Sequence, residues 1–402
     1  YNVLKDQYDF TDSQFAKMEV GVFALITNPE QHYVNRTEAL LSADNKFTPR
    51  HLTIIDSTIA RILYSNNPHH IHRIDELKTQ YQCTASDFAN MSVSVARLAF
   101  NQELSVHFNA LIEELHFKVS DLAKLPVRNA ALLYMPPMIQ PIRELITNYQ
   151  FTPKNFIVIN SEVCMILLNC VRNNRSRRLS ELVERFNLTP DYLVNMSSLT
   201  LQRLLSIEDN SPLLTSLTDP PLLLKAEHLV SMSDNMIDNF MLLNPEQQNR
   251  AAEVMQRLDL HNQPSGLANI DSYTFSIMID PANIANVDEF FVELRRIVDE
   301  YQENLNSNFR ELAHGQAQQV SLKTCNVIKN IPTSIIVTAC QQGLMASFEA
   351  VVKHACHIDI QPQPTKSILE FLDVQEINTV TTLNQDPMAL HNRITGRDQI
   401  NR

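Results

Sequence analysis

Glycine is nearly missing, with 5 in 402 residues, about 1% where a share near 7% is usual. Sheets and tight turns use glycine and helix interiors exclude it, so this scarcity points to an all-helical chain. Tryptophan is absent, which excludes little. No leader-like segment and no apolar run of about 18 residues occurs, so the chain reads as soluble. The cysteines Cys83, Cys164, Cys170, Cys325, Cys340 and Cys356 lack paired close spacings. They fall mostly in apolar runs, the pattern of reduced, buried thiols in a cytosol and not of a disulfide framework. Gly-x-Ser-x-Gly, a Gly-rich phosphate loop and His-Glu-x-x-His are also missing, so the familiar signatures of nucleophilic, nucleotide-dependent and zinc-protease chemistry are not present.

Charge is present but uneven. The net formal charge is −12. Residues 1–220 hold 20 Lys+Arg against 23 Asp+Glu, a balance of −3, and residues 221–402 hold 13 against 22, a balance of −9. The whole-chain balance disfavours nucleic acid and anionic membrane as partners, whereas the first half is close to neutral.

What the chain does have is internal repetition. Phe47-Thr-Pro, Phe151-Thr-Pro and Leu188-Thr-Pro open similar blocks. Extending their register puts starts at Phe10, Phe47, Cys83, Phe117, Phe151, Leu188 and Leu224, with spacings of 34 to 37 residues. Three columns are apolar in all seven blocks. The sixth holds Phe15, Leu52, Phe88, Leu122, Phe156, Leu193 and Leu229. The ninth holds Met18, Ile55, Met91, Leu125, Ile159, Met196 and Met232, and the seventeenth Ile26, Leu63, Ala99, Leu133, Leu167, Leu204 and Phe240. Thr48-Pro49, Thr152-Pro153 and Thr189-Pro190 read as an N-cap followed by proline at the first helical position, where its missing N–H is harmless. Asp56, Ser92, Asn160, Ser197 and Ser233 at position ten can cap a second helix, and Pro126 can open one. Breaks at Asn66-Asn67-Pro68, Met135-Pro136-Pro137 and Asn244-Pro245 precede a third helix. The expected fold is therefore all-α: tandem three-helix repeats over 1–259, stacked as a right-handed or curved α-solenoid because one unit cannot bury its apolar face alone.

A mainly helical C-terminal domain or cap is expected over 260–360. Leu260–Asp271 reads as a loop, and the alternation of Tyr273, Phe275, Ile277 and Ile279 as a strand. Val287 to Leu312 keeps the three-to-four spacing of a long amphipathic helix. Helical stretches follow at about Val320–Asn330 and Thr333–His357, then a linker, Gln361-Pro-Gln-Pro364, and a polar tail to residue 402.

The segment Leu188-Thr-Pro-Asp-Tyr-Leu-Val-Asn-Met196 resembles the opening of a transcription-activator-like effector repeat. That resemblance implies a superhelix in which an inter-helix loop reads one DNA base. The chain departs from the family in that loop, where Ser161-Glu162-Val163 has no glycine pair, and in the divergence of its copies. The three-helix unit whose second helix opens with proline, at Leu125-Pro126, is similar to mitochondrial transcription termination factors. Both resemblances cover the repeat half only.

The best candidate for function is position twenty-seven, with Arg36, Arg73, Arg143, Arg177 and Arg250. Asn109 and Leu214 are the exceptions. Arg172, Arg175, Arg178, His69, His70, His72 and His107 cluster around it. Recurrence at one repeat position would set these side chains along one edge, a track for phosphates or an acidic protein surface. The alternative is helical ion pairing, because Glu76, Glu181 and Glu253 follow Arg73, Arg177 and Arg250 by three or four residues, each pair contributing a few tenths of a kcal/mol. Arg36 and Arg143 have no such neighbour. His354, Cys356 and His357, with Cys340 and Cys325, lack the compact paired spacing of structural zinc sites, so no metal and no cofactor is expected. Cys164, Cys170 and Cys340 sit in apolar runs where a thiol is inert.

The sequence thus points first to a non-enzymatic binding or scaffold protein with a macromolecular partner, a protein in preference to a nucleic acid. Second stands a nucleic-acid-binding array using the arginine edge, and third an enzyme with its site in the C-terminal region. Asn- and Gln-rich usage with divergent copies suits a low-GC bacterium, and a protein that acts in the cytoplasm or is delivered into a host cell.

Overall fold

The computed structural model describes residues 2–42, 44–133, 135–208, 211–312 and 322–360. The chain is an all-α helical-repeat protein, 74% helical and without a strand among the described residues. It forms two compact units, Tyr1–Ser206 and Ile207–Arg402.

In the first unit a leading helix, α1 (Asn2–Tyr8), is followed by three helices per block. Block 1 has α2 (Asp12–Lys17), α3 (Val20–Ile26) and α4 (Gln31–Leu41), and block 2 has α5 (Pro49–Ile54), α6 (Ser57–Leu63) and α7 (Pro68–Thr79). Block 3 has α8 (Ala85–Asn90), α9 (Val93–Phe100) and α10 (Ser105–Glu113); block 4 has α11 (Val119–Ala123), α12 (Val127–Leu133) and α13 (Ile139–Tyr149), the last entered through a 3-10 turn at Pro136–Met138. Block 5 has α14 (Pro153–Val158), α15 (Ser161–Arg172) and α16 (Ser176–Phe186). Block 6 contributes α17 (Pro190–Asn195) and α18 (Ser198–Ser206) to this unit. First helices pack on first helices and second on second from block to block. The three apolar columns are the core, for every one of their residues is buried.

Each helix junction has its own chemistry. At position ten, Asp56 accepts from Thr58 N–H at 2.7 Å, Asn160 from Glu162 N–H at 2.8 Å and Ser197 from Thr200 N–H at 3.0 Å. These are the N-caps expected from the sequence, and Ser92 and Ser233 cap their helices likewise. A further column, position five, emerges only in three dimensions. Its side chain accepts the backbone N–H of position two: Gln14 from Thr11 (2.8 Å), His51 from Thr48 (3.1 Å), Asp87 from Thr84 (2.8 Å), Asp121 from Lys118 (3.4 Å) and Asn155 from Thr152 (2.8 Å). One of the orphan donors of a helix start is thereby satisfied in each of blocks 1–5.

The residue before each block start is left-handed: Asp9, Lys46, Gln82, His116, Gln150, Asn187 and Leu223 have φ of 52° to 59°. Glycine usually fills this position after a helix. Here other residues do, and the apolar residue that follows, such as Phe117 or Phe151, folds back into the core. An eighth member, Asp259 with φ 57°, precedes Leu260, which is also buried.

That last observation continues the three-helix plan past residue 259. The second unit holds α19 (Pro212–Thr218), then α20 (Ala226–Ser231), α21 (Asp234–Leu242) and α22 (Pro245–Arg257) of block 7. A 3-10 helix at Pro264–Asn269 packs on α20, and α23 (Ser272–Ile279) packs on α21. α24 (Ile284–Leu312) follows as the third helix of that set. Finally α25 (Thr324–Ile328) packs on the 3-10 helix, α26 (Thr333–Gln342) on α23, and α27 (Phe348–Ile360) on α24 and α25. Gly266 permits the close approach there, since a Cβ on it would lie 2.7 Å from Leu260 Cδ2 and 2.9 Å from Cys325 Cβ.

Two expectations are corrected. Leu260–Asp271 is not a plain loop, and residues 273–279 are helix, not strand. Thr274, Phe275, Ile277, Met278 and Ile279 are buried, and the exposed face is short and carries the aromatic Tyr273, so no 3.6-residue polar period shows in the sequence. The stretch Thr333–His357 is two helices, parted at Gly343, whose φ is 94°. The linker and tail read from 361 onward lie outside the described residues.

Candidate functional site

The structure separates the recurring arginines. Arg36 Nε donates to the Leu63 carbonyl at 2.6 Å, Arg73 Nε to that of Ala99 at 2.7 Å, and Arg178 Nη2 to that of Leu204 at 3.1 Å. The three acceptors are the seventeenth positions of the following blocks. An arginine within one block's third helix thus closes the carbonyl end of the next block's second helix, where both unpaired oxygens and the helix dipole favour a cation. His32 Nε2 adds a contact to the Tyr64 carbonyl at 2.8 Å, and Arg175 Nη2 one to that of Leu205 at 2.6 Å. Arg73 also binds Asn109 Oδ1 (2.7 Å) and Glu76 (2.7 Å), and Arg178 binds Glu181 (2.7 Å). In the second unit Arg250 is held by Glu253 (2.8 Å) and Asp288 (2.9 Å).

Arg73, Arg178 and Arg250 are buried. Arg143 lies half-exposed against Glu114 and Gln140. Arg172 and Arg177 are exposed and Arg175 is mostly so, all three at the α15–α16 turn. Block 5 is offset by one residue: Arg178, not Arg177, is the counterpart of Arg36 and Arg73. The signal was available in the buried pair one and four residues further on, Ile74 and Leu77 after Arg73, and Leu179 and Leu182 after Arg178. By the same rule Arg143 is off the face, because Ile142 and Leu145 are the buried pair in α13.

The thiols stay protonated, as burial pushes Cys164, Cys340 and Cys356 up to about 12 and raises Cys83, Cys170 and Cys325 too. Among the described residues no three His, Cys, Asp or Glu side chains are grouped to hold a metal. No described helix is long and apolar enough to cross a membrane.

A different edge of the first unit is left uncommitted. Where the first helix of each block gives way to the second, position 8 is exposed at the end of the one, and positions 11, 12 and 15 share a face of the other by helical spacing. Successive junctions touch: a Cβ on Gly21 (position 12) would sit 2.8 Å from Ser57 Cβ (position 11 of the next block), Glu19 accepts from Ser57 N–H at 2.8 Å, and Ser198 Oγ donates to Glu162 at 2.8 Å. Along this edge Val20, Ile54, Val127, Val158, Met165 and Leu199 are exposed, Val20 by 83% and Val158 by 68%. Between them stand Lys17, Arg61, Arg97, Lys124 and Arg128, all exposed and without an ion-pair partner among the described residues. Sequence reasoning passed over this edge because its residues recur as a type, apolar or cationic, and not as one letter at one position.

Comparison with protein-family models, curated proteins and solved structures gives no match to this chain.

Proposed function

We propose that this chain is a non-enzymatic docking protein that holds an anionic macromolecular partner along the junction edge of blocks 1–6. One observation carries the reading. Arg36, Arg73 and Arg178 of the third helices are engaged in capping the next block, whereas five cations and six apolar side chains on the junction edge are exposed together. An apolar row interspersed with unpaired cations is the composition of a binding surface, not of a solvated face. Arg172, Arg175 and Arg177 at the α15–α16 turn form a smaller cationic patch that could extend it.

The test is a charge reversal, Arg61→Glu/Arg97→Glu/Arg128→Glu, beside the control Arg172→Glu/Arg177→Glu, with heparin as a defined polyanion and a lysate pull-down with and without nuclease. The triple variant should melt as the parent does and lose polyanion retention at least about tenfold at low salt. If the control loses retention and the triple variant keeps it, the docking surface is the turn and not the junction edge.

A further inference from the structure

We infer that the occupant of the junction edge is a polypeptide segment of two parts, an acidic stretch followed or preceded by an apolar one, and not a nucleic acid. This rests on the docking reading above and specifies its partner.

The edge changes character along its length. Blocks 1–4 carry all five cations, Lys17, Arg61, Arg97, Lys124 and Arg128, interspersed with the exposed Val20, Ile54 and Val127. At the same positions blocks 5 and 6 carry Val158, Met165 and Leu199, no cation, and one carboxylate, Glu162, already engaged by Ser198. Lys154, one turn before Val158 on α14, and Glu162 sum to no net charge. A nucleic acid is charged uniformly, with one phosphate per few ångströms of each strand, so it would match blocks 1–4 and lay phosphates over an apolar, neutral stretch in blocks 5 and 6. Dehydrating Val158, Met165 and Leu199 requires apolar surface on the partner.

Single strands bind by stacking bases on aromatic rings, yet positions 8, 11, 12 and 15 of blocks 1–6 contain no Phe, Tyr or His. A polypeptide can vary its charge and hydropathy along its length and fit both halves. Six junctions at the usual 8–10 Å spacing of packed helices span roughly 40–50 Å, the reach of about 15 extended residues.

The experiment uses the full chain and labelled probes of about 20 residues or nucleotides. The probes are a peptide of Glu and Asp followed by Leu and Val, the same composition in reverse order, an all-Glu peptide, single-stranded RNA and double-stranded DNA. Two variants are compared with the parent: Val158→Asp/Leu199→Asp on the apolar half and Arg97→Glu/Arg128→Glu on the basic half. One of the two-part peptides should bind tightest, by at least about tenfold over either nucleic acid. The apolar-half variant should abolish that advantage while lowering all-Glu binding far less than the basic-half variant does, and the basic-half variant should weaken both. Thermal melting checks folding, and Val158→Ser replaces the aspartate variant if it melts early.

If DNA or RNA binds tightest and is indifferent to the apolar-half change, the partner class is wrong and the docking reading stands. If no probe responds to either folded variant, the docking reading fails as well.

Discussion

In block 5, one residue of register separates a buried arginine from a solvated one. Arg178 meets the Leu204 carbonyl and Glu181, while Arg177 points to water. Removing the first leaves a buried carbonyl and a carboxylate without their cation, so Arg178→Ala should cost about 3 kcal/mol. Arg177→Ala should stay within about 0.5 kcal/mol. Urea melts of the two variants decide it, and equal losses would mean that the register assigned to block 5 is wrong. A second residue-scale test concerns His228, fully buried in the second unit, whose Nδ1 accepts from Lys225 N–H at 3.0 Å and whose Nε2 meets the Leu260 carbonyl at 3.2 Å. Burial pushes its pKa down to about 4. The unfolded chain takes up that proton near pH 6.5, before the fold does. The stabilisation is therefore whole above pH 6.5 and is lost as pH falls from there toward 4, by up to about 3 kcal/mol. His228→Gln keeps an acceptor at position five, as Gln14 does in block 1, and should flatten the acid limb of a stability-versus-pH curve. An unchanged limb would move the effect to other groups.

At the scale of the element, the left-handed residue that ends each third helix carries a steric penalty of roughly 1–2 kcal/mol when it is not glycine. Gln82→Gly and His116→Gly should each raise stability by about 0.5–1 kcal/mol, after the extra entropy glycine loses on folding. Gln82→Val should lower it, because a β-branched side chain is worse placed at φ 56°. Denaturant midpoints give the sign, and a loss on going to glycine would show that these side chains make contacts outweighing their strain. Most elements of blocks 1–7 were legible in the sequence, since Thr-Pro starts, position-ten caps and three apolar columns are local signals. α23 was not, because its short exposed face carries the aromatic Tyr273 and so shows no polar period to read. Nor was the position-five column, which holds Gln, His, Asp and Asn by turns: what recurs is an acceptor, not a residue.

For the whole molecule, stacked blocks make each core residue a shared one. Phe156 and Leu133 are fully buried, and truncating either to alanine should cost about 2–5 kcal/mol. Hydrogen exchange should rise in the neighbouring blocks as well as in the altered one, because each block is stable only against its neighbours. Faster exchange confined to a single block would contradict a shared core. Net charge acts at this scale too, and misleads there. The sum of −12 hides a cationic edge in blocks 1–4, since residues 221–402 alone contribute −9. Binding through that edge should weaken steeply with salt even though the chain is acidic overall.

The amino-acid sequence by itself determined the helical class, the block length, the core columns and most helix starts. All of these follow from interactions within a few residues along the chain, caps and apolar periodicity, and recur often enough to be seen through divergence. What only the tertiary structure decided is which polar residues are used up by the fold. Arg36 and Arg73 look like binding residues until the carbonyls of Leu63 and Ala99, 27 and 26 residues away, are brought against them. Arg61 and Arg97 look ordinary until they are found exposed and without an ion-pair partner among the described residues. An arginine has the same local signature whether its guanidinium ends on a buried oxygen or in water. The difference is a long-range contact, which only the stacking of one block on the next creates.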